Sequence, residues 1–190
     1  MHVPIQHIIG TVAIIGLMIS VGLAYTIETS FVQQDISQQQ LAQVSEMVAL
    51  NIADTVNLAN FANFGNFTRN NTMMISLNLP LDLAGRAYAV QLMNETGDNQ
   101  RYNVNSYLLD QHTTNASATV PFNSAQDSVQ LTTDVTDAGN LYWIETGVEA
   151  VTSSIVVYGG NSRAVVWAWK GEGNATLAGL GVISVGQAGK

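Results

Sequence analysis

Few side chains in this chain are of a type that does chemistry. The histidines are His2, His7 and His112, and cysteine is absent. His2 and His7 stand five residues apart at the start of an apolar run, a spacing that does not align them on one helical face, and His112 sits in a Gln-His-Thr-Thr stretch that reads as loop. A zinc site needs three or four converging ligands, and without thiolates no local cluster provides them. The carboxylate pairs Asp134 with Asp137 and Glu145 with Glu149 are the next candidates, for proton transfer or for calcium. Neither lies in a calcium-loop pattern, and solvated acids in turns account for both.

Gly171-Glu172-Gly173-Asn174-Ala175-Thr176 has the glycines of a phosphate-binding loop. No Lys-Ser/Thr follows it, and the next segment reads as strand rather than helix, so a hairpin turn explains it better. Trp167 and Trp169 alternate onto one face of a strand, where they form either a sugar-binding platform or packed core, and packing is the commoner use of such rings. No Gly-x-Ser-x-Gly elbow or other nucleophile signature is present. The expectation is therefore a non-enzyme without a metal or cofactor. The one modification signal is a set of Asn-x-Ser/Thr sequons at Asn66, Asn70, Asn94, Asn115 and Asn174, all outside the apolar run, which predicts N-linked glycans on a surface-exposed domain.

Composition narrows the partners. Of the 190 residues only 11% are charged, against roughly 25% in ordinary globular domains. The net charge is −8, and the six basic residues (Arg69, Arg86, Arg101, Arg163, Lys170 and Lys190) are scattered singly. Nucleic-acid binding needs several phosphates neutralised from one surface, so that class of partner is excluded.

The elements that must position everything else begin with the first sixty residues. From Met1 to Ile27 there is no Asp, Glu, Lys or Arg, and from Ile8 to Tyr25 the only polar side chains are Thr11, Ser20 and Tyr25. That is the length and character of a minimal membrane-spanning helix. A signal peptide would want a basic start and a clear cleavage site, whereas this chain opens Met-His-Val-Pro. Gly10, Gly16 and Gly22 recur every six residues; small residues of this kind permit close helix approach, although glycine is also common in membrane helices generally.

After Glu28 the pattern turns one-sided: Val32, Ile36, Leu41, Val44, Val48, Ile52, Val56 and Ala59 step at helical intervals between Gln, Asn and acidic residues. One continuous helix from about Ile5 to Asn60 is predicted, roughly 80 Å long at 1.5 Å per residue. The Asn-rich run from Asn57 to Thr68 ends it, with Gly65 as the stop and Phe61, Phe64 and Phe67 expected to pack the junction with the domain.

Beyond Arg69 the period falls to two. Strands are predicted at Met73–Leu79, Arg86–Met93, Tyr102–Leu109, Ser117–Phe122, Ser128–Thr133, Leu141–Gly147, Ser154–Tyr158, Arg163–Lys170 and Leu177–Val185. Turn signals at Gly97-Asp98-Asn99, Asp137-Ala138-Gly139-Asn140, Gly159-Gly160-Asn161 and Gly171-Glu172-Gly173-Asn174 separate them. The Gly159-Gly160-Asn161 turn gives the clearest hairpin. The expected architecture is α+β: a helical segment over 1–62, then an antiparallel β-sandwich, Ig-like or pilin-type, over 63–190.

The stretch Ile8-Ile9-Gly10-Thr11-Val12-Ala13-Ile14-Ile15-Gly16-Leu17-Met18-Ile19 resembles the start of mature archaeal type IV pilins and archaellins. Leu79-Pro80-Leu81-Asp82-Leu83-Ala84-Gly85-Arg86-Ala87-Tyr88-Ala89-Val90-Gln91-Leu92 is similar to the first strand region of some archaeal pilin-like proteins. Precursors in that superfamily carry a short basic leader removed by a dedicated peptidase, so the resemblance implies that the stretch read here is the mature form.

What the resemblance further implies is a structural subunit of an extracellular, adhesive filament. Such a subunit waits in the cytoplasmic membrane and then polymerises with copies of itself into a helical homopolymer. The core of that polymer would be lined by Ile8, Ile9, Gly10, Val12, Ile14, Ile15, Gly16, Leu17, Ile19, Gly22 and Leu23. The alternatives are a membrane-anchored cell-surface binding or envelope domain, and a motility filament of the archaellum kind. The ligand or surface such a filament would meet is not specified by any residue.

Overall fold

The computed structural model describes residues 3–61, 72–95, 101–121, 129–133, 141–143, 149–170 and 176–185. The chain divides into two compact units, Met1–Ser37 and Gln38–Lys190. One helix, α1 (Val3–Phe61), belongs to both.

The first unit holds only the apolar half of α1. No charged residue precedes Glu28, and Pro4 occupies the first turn, where its missing N–H costs no intrahelical bond.

In the second unit the remainder of α1 packs into a β-rich domain. Leu41, Val44, Val48, Ala49, Ile52, Ala53, Val56 and Ala59 are all buried in one core with strand residues. Full burial of each large aliphatic side chain stabilises by about 1.5–3 kcal/mol, so this half of the helix is held by the domain. Val32 and Ile36, which continue the same periodicity in sequence, are 53% and 44% exposed.

The strands are β1 (Thr72–Ser76), β2 (Tyr88–Glu95), β3 (Arg101–Leu108), β4 (Asn115–Thr119), β5 (Val129–Leu131), β6 (Leu141–Trp143), β7 (Glu149–Ser154), β8 (Val156–Tyr158), β9 (Ala164–Lys170) and β10 (Thr176–Val185). They form two sheets, one ordered β4-β3-β2-β8 and one ordered β1-β9-β10-β7-β6 with β5 beside β10. The fold is thus α+β with a sandwich-like pair of sheets, as the sequence predicts. Strand periodicity is also as expected: Tyr88, Val90 and Leu92 of β2 and Tyr102, Val104, Ser106 and Leu108 of β3 all face the core.

Four details depart from expectation. Gly159 and Gly160 do not close a hairpin, because β8 pairs with β2 in the four-stranded sheet whereas β9 pairs with β1 and β10 in the other. The turn instead carries the chain between sheets: Gly160, at φ +72°, donates its N–H to the Pro80 carbonyl at 2.8 Å. Second, one pairing is parallel, β5 with β10, while every other is antiparallel among the described residues. Third, the predicted Ser154–Tyr158 strand is two elements: β7 ends at Ser154, and after Ile155 the chain enters the other sheet as β8. Fourth, Phe61 is 92% exposed and packs no junction; Phe64, Phe67 and the stop at Gly65 lie outside the described residues.

Two contacts fix the helix to the sheets. Ser45 Oγ lies 2.8 Å from Ser106 Oγ and 3.1 Å from the Ala116 carbonyl oxygen. Near the helix end, Thr176 Oγ1 donates to Asn60 Oδ1 at 2.8 Å.

Candidate functional site

The surface that stands out chemically is the apolar half of α1. Ile8, Ile9, Val12, Ile14, Ile15, Leu17, Met18, Ile19, Val21 and Leu23 are each between 52% and 67% exposed. They project on every side of the helix, since successive residues turn by about 100°. Burying what remains exposed of ten such side chains is worth on the order of 10 kcal/mol. By length and composition the helix is able to cross a membrane: its most apolar 18-residue window has a mean hydropathy of 2.2 and no buried residue.

The aliphatic hydroxyls of this segment are already accommodated. Thr11 Oγ1 donates to the His7 carbonyl at 2.7 Å, Ser20 Oγ to the Gly16 carbonyl at 2.8 Å and Thr26 Oγ1 to the Gly22 carbonyl at 2.9 Å. With these hydroxyls bonded one turn back, the helix can enter a dry environment without stranding them.

Gly10, Gly16 and Gly22 have open space where a Cβ would stand. Six residues turn the helix by about 600°, so successive glycines are offset by about 120°. Their notches therefore face three directions instead of forming one seam, as suits a helix with neighbours all around better than a helix pair.

The residues singled out for chemistry fall apart in the structure. His7 is exposed on the helix, and His112 lies in the turn after β3, its ring 5.2 Å from that of Tyr107. His2, Asp134, Asp137, Glu145 and the glycine loop 171–175 lie outside the described residues, as does the Glu149 side chain. Among the described residues no three His, Asp or Glu gather as metal ligands. Trp167 is fully buried, donating Nε1–H to the Leu180 carbonyl at 2.8 Å, and Trp169 packs in the same cluster with Met74, Leu177 and Ile183. Trp167 is core and Trp169 is half-buried at the edge of its cluster, so the two rings do not form an open sugar platform.

Of the sequons, Asn94 at the end of β2 and Asn115 at the start of β4 are exposed, and Asn66, Asn70 and Asn174 lie outside the described residues. The third residue of a sequon also has to be reached by a transferase. Thr72, of the Asn70 sequon, is 8% exposed and Thr176, of the Asn174 sequon, is fully buried, whereas Ser117 of the Asn115 sequon is exposed.

Among the described residues, Tyr88 is displaced from the usual tyrosine range. Burial pushes its hydroxyl up to about 12, and that hydroxyl donates to the Pro80 carbonyl at 3.0 Å. Its ring lies against Gly159, where an added Cβ would overlap the ring carbons. The group is a structural pin, held by burial and by its bond to Pro80.

No family model, no curated protein and no solved structure matches the chain.

Proposed function

We propose that this chain is the structural subunit of an extracellular filament similar to archaeal type IV pili, used for adhesion or surface attachment. One observation carries the reading: residues 8–27 form a helix with apolar side chains exposed on every face and its aliphatic hydroxyls bonded internally. A helix that only spans a bilayer needs the apolar surface. It does not need notches offset around its axis. Packing among copies uses both, because close contact adds dispersion attraction that lipid chains supply less well. In this reading the helix rests in the cytoplasmic membrane before assembly, the self-polymer buries Ile8 to Leu23, and the glycan-bearing β-rich domain stays outside.

The rival reading, a membrane-anchored binding or envelope domain, draws on the same length and hydropathy. Ile15→Asp separates the two. A buried carboxylate at mid-helix costs about 2.5–3.5 kcal/mol on an insertion scale and more in a packed bundle. Negative-stain microscopy of surface material should show filaments for the unaltered protein and none for the variant, while the domain keeps its near-ultraviolet circular dichroism. Absence of filaments from the unaltered protein would favour the anchor. If filaments form, swimming assays against attachment assays distinguish a motility filament from an adhesive one.

A further inference from the structure

We propose that the outer face of the four-stranded sheet is a bed for neutral saccharide, and that its occupant is the glycan carried by Asn115 of the same chain. The inference rests on the domain lying outside the cell, and it is independent of polymerisation.

Register defines the bed. Asn115 stands directly opposite Tyr107, Tyr107 opposite Ala89, and Ala89 opposite Tyr158. Each of these side chains alternates with a core-facing neighbour, so the four point together to the outer face. Three strand spacings, about 14 Å, separate the ends of the row, enough for a short oligosaccharide. Ala89 is fully covered between the two tyrosines, so the accessible part of the row is Asn115, Tyr107 and Tyr158. In the adjoining row Gln91 lies opposite Asn105, and both amides are partly exposed. Neither row contains a charged residue.

The chemistry of that surface fits an uncharged saccharide. Tyrosine rings offer flat apolar faces for the C–H side of a pyranose, and amides both donate to and accept from hydroxyls. A charged partner would find no opposite charge within these two rows.

The source of the saccharide is indicated independently. Asn115 and Ser117, the two sequon residues a transferase must reach, are both exposed on this face. The Asn115 Nδ2 donates to the His112 carbonyl at 3.3 Å, and the His112 ring leans on Tyr107. A glycosylated asparagine keeps one amide hydrogen, so this contact is able to persist and aim the first sugar along the row. Asn94 is in phase with Tyr88, Val90 and Leu92, the core-facing set of β2, and therefore does not reach the outer face.

The test uses the full chain in detergent, purified from the cells that make it, with Ser117→Ala to remove the sequon without touching Asn115. Glycopeptide mass spectrometry should find Asn115 occupied by a neutral glycan. Ser117→Ala should then lower the melting temperature of the domain by about 2–4 °C, and should cause no such drop in a Tyr107→Ala background. An unmodified Asn115, or an equal drop in both backgrounds, overturns the proposal. So does capture of mannan or amylose oligosaccharides by a natively unglycosylated Asn115 chain, because the bed would then serve a free ligand. Filament formation is scored separately, so loss of the glycan bed and loss of the filament reading are distinguishable.

Discussion

Ser45 on the helix and Ser106 on β3 meet through their hydroxyls at 2.8 Å, and neither side chain is reachable by water. Each hydroxyl has one hydrogen. Since Ser45 Oγ also lies 3.1 Å from the Ala116 carbonyl, the arrangement that satisfies all three groups has Ser45 donating to that carbonyl and accepting from Ser106. Ser45→Ala then leaves the Ser106 hydroxyl without its partner in the core and takes the side-chain bond from the Ala116 carbonyl, at a cost of about 1–3 kcal/mol. Ser106→Ala keeps the bond to Ala116 and should cost less. Urea unfolding of the two variants checks the order, and a larger loss for Ser106→Ala would reverse the assignment.

A second expectation concerns alkaline pH. Tyr88 titrates near 10 when unfolded and is pushed up to about 12 by burial when folded. Below pH 10 both states hold the proton and the contribution is complete. Between pH 10 and 12 the unfolded chain releases it and the folded one does not, so stability falls as pH rises, by about 2–3 kcal/mol at the upper end. Tyr88→Phe should flatten that segment of the pH profile, at the cost of about 1 kcal/mol at neutral pH for the lost bond to Pro80.

Ala84 sits at φ +51° and Gly85 at +77° in the two-residue turn closed by reciprocal bonds between Leu83 and Arg86 at 3.0 Å each. A left-handed conformation suits Gly and Asn, while an alanine Cβ is crowded there. Ala84→Asn should stabilise the domain by about 0.5–1 kcal/mol, read as a higher thermal midpoint. An unchanged or lower midpoint would contradict it.

Glycines in the two units should respond differently. A Cβ at Gly181 would stand 2.5 Å from Val151 Cγ1 and 2.9 Å from Trp167 Cδ1, so Gly181→Ala should cost about 1–3 kcal/mol and perturb the Trp167 indole resonance. A Cβ at Gly10 meets nothing within 4 Å. Gly10→Ala should leave domain stability unchanged, and any effect should appear in assembly alone.

Periodicity made much of this legible. The stripe from Leu41 to Ala59 and the alternation of Tyr88, Val90 and Leu92 follow from helix and strand geometry, so the core could be read before the fold. The exposed apolar half of the helix was visible in the uncharged run itself. What escaped was everything that depends on which strands are neighbours. Gly159-Gly160 marks a turn in either case, and nothing local says that the strands it joins belong to different sheets. The row from Asn115 to Tyr158 joins residues from three separate stretches of chain, and only register brings them together. Trp167 and Trp169 were ambiguous for the opposite reason: strand alternation gives a face but not what lies over it.

The brief visit of β8 to the four-stranded sheet has a mechanical reading. The chain leaves β7, bonds across to β2 through the Ile155 carbonyl and the three residues of β8, and returns as β9. Those residues work as a stitch through two layers of cloth. Tension that tries to slide one sheet over the other loads the stitch before it shears any long ladder, so the domain should yield to pulling as one piece, at a single rupture force.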